Sequence, residues 1–211
     1  MYLGVDVGGT KVLAAVLDDA GMIQERNKFG TPGDYQDFLQ KLEEVVASFT
    51  TKDFQAAGIG IPATSFNRAS GHALTFGNLP WHDVAVQADA ERIFHCPVVV
   101  ENDAKMGALS EAMLLKNQFQ KVLYIAIGTG IGIGLVQNGQ IDTAIGDGGG
   151  RLVLIEHRGK HVPWEEVASG KAILKRYGKP AREIDDPDSW KVIARHIATG
   201  LVELIAITEP E

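Results

Sequence analysis

Cysteine is nearly missing from this 211-residue chain: Cys96 stands alone, which excludes an internal disulfide and any cysteine-rich metal site. Beside Pro97, it reads as a small core residue. Long apolar runs are missing too, and nothing approaches the roughly 20 residues of a membrane span. Positive charge is in deficit, with a formal net charge of −7 and a pI near 5.4. That argues against a general nucleic-acid or anionic-membrane surface and leaves room only for a local basic pocket for a phosphate. A basic leader is lacking as well, since Met1 enters directly into a strand, so a soluble cytoplasmic protein is the expectation. At 45% hydrophobic and 22% charged, the chain can bury a core in one large or two small domains.

What is present is glycine in particular places. An apolar strand, Tyr2 to Val7, runs into Asp6-Val7-Gly8-Gly9-Thr10-Lys11 and then a second strand, Val12 to Leu17. A turn of related design, Gly128-Thr129-Gly130-Ile131-Gly132, follows another strand far downstream. Glycines between strands let the backbone approach a ligand and aim N–H groups at anionic oxygens, with Thr10 as a further donor. The plain alternative is a tight β-hairpin, for which Gly-Gly is ordinary. Asp6 tips the balance, because a carboxylate in a strand otherwise nearly all apolar is costly to bury without a cation, water or donors. A hydrated Mg²⁺ or a transferring phosphate supplies that partner. Neither turn fits the Walker or dinucleotide patterns, since strand rather than helix follows each.

Along the chain, residues 2–7, 12–18 and 22–29 read as an antiparallel meander. Tyr35, Phe38, Leu39, Leu42, Val45, Val46 and Phe49 predict a helix capped by Asp34. A buried strand, Gln55 to Ile61, ends at Pro62, and a loop is expected from Ala63 to Pro80, long enough to be functional. A helix from about Asp83 to Phe94 leads to strand Val98 to Val100 and another helix to about Lys116. The pattern then restarts with strand Val122 to Ile127, the second glycine turn, strand Gly132 to Val136 and an Asn138-Gly139 hairpin signal. This weak repeat suggests two similar lobes with a cleft between them. Gly146 to Gly150 reads as a loop, Leu152 to Glu156 as a strand, and Trp190, Ile193, Ile197, Leu201 and Leu204 as one face of a helix.

Glu101-Asn102-Asp103 sits where a strand gives way to a helix, the place where open α/β sheets carry ligand-binding groups. Asn or Asp before a helix is also the preferred N-cap. Three consecutive polar residues exceed what a cap needs. An aspartate there could take the proton from a hydroxyl attacking phosphorus, and Asn102, donor and acceptor on one amide, suits a sugar hydroxyl.

These motifs resemble those of the ROK sugar kinases and repressors, which include bacterial glucokinases and belong to the sugar kinase/actin/Hsp70 superfamily. Asp6 to Lys11 is similar to the family's first phosphate motif, Gly58-Ile59-Gly60-Ile61-Pro62 to its Gly-x-Gly-x-Pro strand, and Asn78-Leu79-Pro80-Trp81 to its sugar loop. Glu101 to Ala104 matches its catalytic motif, Ile127 to Gly132 its second phosphate motif, and Glu165 to Gly170 its Glu-x-x-Ala-Ser-Gly segment. The resemblance implies an α/β, two-lobed, actin-like (ribonuclease H-like) fold with mixed sheets, an N-terminal lobe at 1–117 and an incomplete C-terminal lobe at 118–211. It implies phosphoryl transfer from ATP–Mg²⁺ to a hydroxyl of a hexose or amino sugar, with Asp103 as general base and Asn78, Asn102 and Glu165 holding the sugar. Asp6, Gly8, Gly9, Thr10, Lys11, Gly128, Thr129 and Gly130 would face the phosphates, Asp6 meeting Mg²⁺ directly or through water. Family members are often dimers.

Three departures stand beside the resemblance. The family's Gly-Glu-x-Gly-His segment falls on Asp147-Gly148-Gly149-Gly150-Arg151, so its sugar-binding Glu and His become Gly148 and Arg151. Arg151 either meets an anionic substituent or is a solvated loop side chain. The interval Glu156 to Pro163 has none of the family's three zinc-binding cysteines, and His157 and His161 read as surface residues, so no structural zinc is expected. The chain stops before the family's adenosine-packing Gly-Gly-Gly strand, which predicts a C-terminally truncated kinase. Two alternatives follow: a noncatalytic sugar- or phosphosugar-binding protein, and a kinase that uses inorganic polyphosphate as donor. DNA binding is disfavoured because Met1 starts the first strand, where family repressors have a preceding helix-turn-helix.

Overall fold

The computed structural model describes residues 1–115 and 118–211. They form two compact units, Met1–Asp103 and Ala104–Glu211. The predicted end of the third helix at Lys116 and the expected lobe boundary at 117 lie outside the described residues.

The first unit begins with β1 (Tyr2–Val7), β2 (Lys11–Leu17) and β3 (Ile23–Gly30), joined as the predicted antiparallel meander. Helix α1 (Tyr35–Ser48) follows, with the Asp34 carboxylate accepting from the N–H groups of Gln36 and Asp37. Strand β4 (Ala56–Ile61) lies parallel to β1, and β7 (Val98–Asn102) lies parallel to β4. The resulting sheet runs β3-β2-β1-β4-β7. Its inner face, Leu3, Val5, Val7, Val12, Ala14, Val16, Ile59 and Val100, packs with Phe38 and Leu42 of α1 in one core. Two differences from the sequence reading have simple causes. The expected loop at 63–80 contains a hairpin, β5 (Ala63–Asn67) and β6 (His72–Phe76), because Ala63, Ala73 and Phe76 supply an inward face that joins the core. Helix α2 starts at Val86 and runs to Phe94, since Ala73 and Val84 exchange backbone hydrogen bonds and Asp83 takes a left-handed φ of 48°.

The second unit is led by α3 (Asp103–Leu114), followed by β8 (Lys121–Ile127), β9 (Ile131–Gln137) and β10 (Gln140–Ile141) in one antiparallel sheet. The β9–β10 turn is the predicted Asn138-Gly139, both at positive φ, 52° and 74°. A single 3₁₀ turn, Gly149–Arg151, precedes the hairpin of β11 (Leu154–His157) and β12 (Lys160–Pro163). Helices α4 (Glu165–Ala168), α5 (Gly170–Tyr177) and α6 (Pro187–Thr208) complete it. Trp164, fully buried, forms the centre of a core with Ile131, Ile133, Ile155, Val167 and Leu204. Among the described residues no helix is long and apolar enough to cross a membrane.

Helix α3 crosses β9 closely. A Cβ on Gly134 would lie 2.6 Å from both the Ala104 carbonyl oxygen and the Ala108 Cβ. Backbone on one side cannot yield, so Gly134→Val is expected to lower stability by about 1–3 kcal/mol or more, read as a shift in the urea midpoint. An unchanged midpoint would show that α3 does not need this approach.

Candidate functional site

In the first unit the carboxyl ends of three adjacent parallel strands lie side by side. β1 ends in the first glycine turn, β4 in Pro62-Ala63, and β7 in Asn102, with Asp103 opening α3. This is the edge where an open α/β sheet binds its ligand. The glycine turn is closed by Gly8 N–H donating to Lys11 O at 2.8 Å. Thr31 straps it from outside, its hydroxyl donating to Gly8 O at 2.7 Å and its N–H to Thr10 O at 3.2 Å. Gly8 thus spends its N–H inside the turn, and among the described residues no hydrogen bond takes the N–H of Gly9 or Thr10. Asn78 lies directly on this turn. A Cβ at Gly9 would come 2.4 Å from the Asn78 Nδ2, so a larger residue there would push that amide off the turn.

Asp6 is placed differently from the burial argument. Leu3, Val5 and Val7 point into the core, and strand alternation turns Asp6 to the opposite, solvent-reached face. The surrounding protein still desolvates it enough to push its carboxyl above the ordinary aspartate range. A cation would relieve that cost. One carboxylate beside a glycine turn with two N–H groups left over would fit Mg²⁺, which keeps several waters and takes its other ligands from phosphates. Lys11, the next charged residue along the hairpin, is exposed.

At the β7–α3 junction the side chains are held hard. Glu101, buried, receives the Arg68 guanidinium in a forked pair, Nε to Oε2 at 2.8 Å, and its Oε1 also accepts from Asn102 N–H at 2.7 Å. Arg68 further lies over the Phe66 ring, 5.5 Å from its centroid. The Asn102 amide donates to the Ala63 carbonyl at 3.0 Å, which ties β7 to the start of the 63–76 hairpin. Asn102 is therefore oriented by its neighbours rather than serving only as a helix cap.

In the second unit the other glycine turn, Gly128 to Gly130, closes through Gly128 N–H to Gly130 O at 2.9 Å. Ser169 caps α5, and the first N–H groups of that helix, Gly170 and Lys171, donate to Gly128 O and Thr129 O at 2.7 and 3.2 Å. Glu165 reaches over the turn, its Oε2 accepting from Ile131 N–H at 2.8 Å and lying 2.5 Å from where a Gly130 Cβ would sit. Its Oε1 takes the Arg151 Nε at 3.0 Å. The two residues expected to meet the sugar or an anionic substituent are thus paired with each other. Behind them, Lys105 is fully buried and pairs with Asp147 at 3.0 Å, while its Nζ also donates to Ile145 O at 2.7 Å.

The profile of the ROK family matches residues 2–211. The chain belongs to the ROK family. Among its relatives, a glucokinase of Streptomyces coelicolor is 30% identical over 85% of this chain and 59% of its own length. The N-acetylgalactosamine kinase AgaK of a Shewanella species is 31% identical over 67% of the chain and 46% of its own. This ROK chain therefore spans about half to three-fifths of the length of these two relatives. A crystal structure of a ROK family glucokinase from Streptomyces griseus in complex with glucose and AMPPNP superposes with a TM-score of 0.79 at 26% identity, covering 99% of this chain and 80% of that one. The α/β actin-like architecture of the family is thereby established for it.

Within this ROK chain the sequence missed Thr31, Arg68 and the Lys105–Asp147 pair. None carries a motif signal. An arginine in a polar loop and a lysine in the first turn of a helix look like solvated residues until tertiary contacts bury their partners.

Proposed function

We propose that this ROK chain transfers the terminal phosphoryl group of ATP–Mg²⁺ to a hydroxyl of a hexose or amino sugar. One observation carries the reading: three neighbouring strand ends bring the Gly8–Thr10 turn, Asn78 and Asp103 to a single edge of one sheet. Asp103 would accept the hydroxyl proton, and Asn78 and Asn102 would orient the sugar. Gly9 and Thr10 in the first unit, and Gly128, Thr129 and Gly130 in the second, would cradle phosphate oxygens with backbone N–H groups. Asp6 would hold Mg²⁺, which neutralises phosphate charge when bound. Phosphoryl transfer asks mainly for positioning and charge complementarity, and the Arg68–Glu101 fork and the Thr31 strap are positioning devices. The relatives named glucokinase and N-acetylgalactosamine kinase support the substrate class. The test is a coupled ADP-release assay with ATP–Mg²⁺ against glucose, mannose, fructose and their amino and N-acetylamino forms. Turnover of at least one sugar is expected, and silence across the panel sinks the reading.

The Arg151–Glu165 pair favours a second reading. A Glu165 already committed to Arg151 and Ile131 N–H has less to offer a sugar, as in a noncatalytic sugar- or phosphosugar-binding protein. Calorimetry that finds sugar binding without nucleotide affinity selects it. Polyphosphate in place of ATP, in the same assay, separates a polyphosphate-dependent kinase from both.

A further inference from the structure

The second unit gathers positive charge at one place. Three elements contribute. The β11–β12 hairpin brings His157, Arg158 and Lys160, α5 brings Arg176, and α6 brings Arg195 and His196. His157 and His196 meet ring to ring in a T-shaped contact at 5.1 Å, and Arg176 donates to the His196 Nδ1 at 2.7 Å. That bond leaves His196 as the tautomer with its proton on Nε2, so arginines, lysine and this imidazole all present donors.

The acidic residues of the chain avoid this spot. Cross-strand pairing sets His157 opposite Lys160 on the face of the hairpin that also carries buried Ile155, while Glu156 pairs with His161 on the other face. Among the described residues, no carboxylate comes within ion-pair distance of Arg158, Lys160, Arg176 or Arg195. Single unpaired cations are common on this chain, but here four of them come together beside one imidazole pair. Desolvation, then Arg176, His157, Arg195 and Arg158, hold the His196 imidazole below its ordinary range, so every charge acting on it is cationic. Arg158 adds a separate sign. It occupies the hairpin turn at φ 55°, a left-handed conformation that glycine or asparagine adopts at far lower cost. Its side chain is exposed there, so an anion can reach it.

We propose that His157, Arg158, Lys160, Arg176, Arg195 and His196 form a binding site for a tetrahedral oxyanion, a phosphate dianion either free or at the end of an ester. An all-donor cluster matches an all-acceptor ligand, and guanidinium forks match phosphate oxygens in pairs. Binding draws the Arg176 guanidinium onto the anion, which frees His196 Nδ1 to take a proton in a field the anion has reversed. Without anion the sign is the opposite: the folded imidazole resists a proton that the unfolded chain accepts, so stability present above about pH 6.5 is lost as pH falls below it.

The experiment follows the imidazole resonances of His157 and His196 by NMR in the full chain, at constant ionic strength set with chloride, while inorganic phosphate or glycerol 2-phosphate is added. Both resonances are expected to shift saturably at about pH 7.5, where phosphate is largely the dianion, with His196 moving toward its protonated position. A preference for the glycerol ester would mark an esterified ligand and equal affinity a free one, and either supports the site. Arg158→Gly with Arg195→Ala removes two exposed cations at little cost to the fold, since glycine suits the turn. It should weaken binding at least about fivefold. The charge-matched control Arg26→Ala with Lys28→Ala, on β3 of the first unit, should leave it unchanged. Imidazoles that do not respond to phosphate, or a double variant that binds like its control, overturn the proposal.

Discussion

Asp103→Asn is expected to lower kcat for sugar phosphorylation by about 10²–10⁴-fold, the usual worth of a positioned general base, while sugar affinity by calorimetry changes little. The substitution is well suited to the question. Asp103 is the first residue of α3, and asparagine is as good as aspartate at a helix start, so the local backbone has no reason to move. Asn102 and Glu101, held by Ala63 and Arg68, keep their places as well. What is lost is the capacity to take a proton. If the variant turns over at the wild-type rate, Asp103 is a cap and the base lies elsewhere. If it loses sugar binding along with rate, Asp103 acts by holding the substrate.

The second large effect concerns stability. Lys105→Met is expected to cost about 3–5 kcal/mol, because it leaves the nearly buried Asp147 without its lysine in the interior of the second unit. For a chain of this size that is a melting point lower by roughly 10 °C. Lys105→Met with Asp147→Asn should recover a large part of the loss, since no charge is then left behind. Additive losses would show that the two residues do not act as a pair. The pair also bears on the site: Lys105 stands two residues after Asp103, and through Ile145 O and Asp147 it ties the glycine-rich segment leading to Arg151 onto the first turn of α3.

Much of the fold was legible because period and punctuation are local properties. The meander β1–β3, the α1 spacing with its Asp34 cap, and the Asn138-Gly139 turn all follow from residues within a few positions of each other. The 63–80 segment was misread as a loop because its small and polar residues hide an alternation that shows only when Ala63, Ala73 and Phe76 meet the core of the first unit. An apolar strand suggests burial for Asp6, yet the one-sidedness of β1 leaves it on the solvent-reached face. His157, read as a surface residue, lies half-buried against His196, because β11 turns it inward with Ile155.

The sequence by itself determined the family, the two glycine turns and the polar triplet at 101–103, because each is a contiguous run whose chemistry does not depend on distant residues. Only the tertiary structure decided what those groups touch. It spent the Gly8 N–H inside its own turn, laid Asn78 on Gly9, forked Arg68 onto Glu101, and closed Arg151 on Glu165. It also drew six cationic or titratable residues from three elements to one place. Electrostatics and close packing act through space, where residues far apart in the chain become neighbours, so charge pairing and orientation become readable only once the elements are assembled.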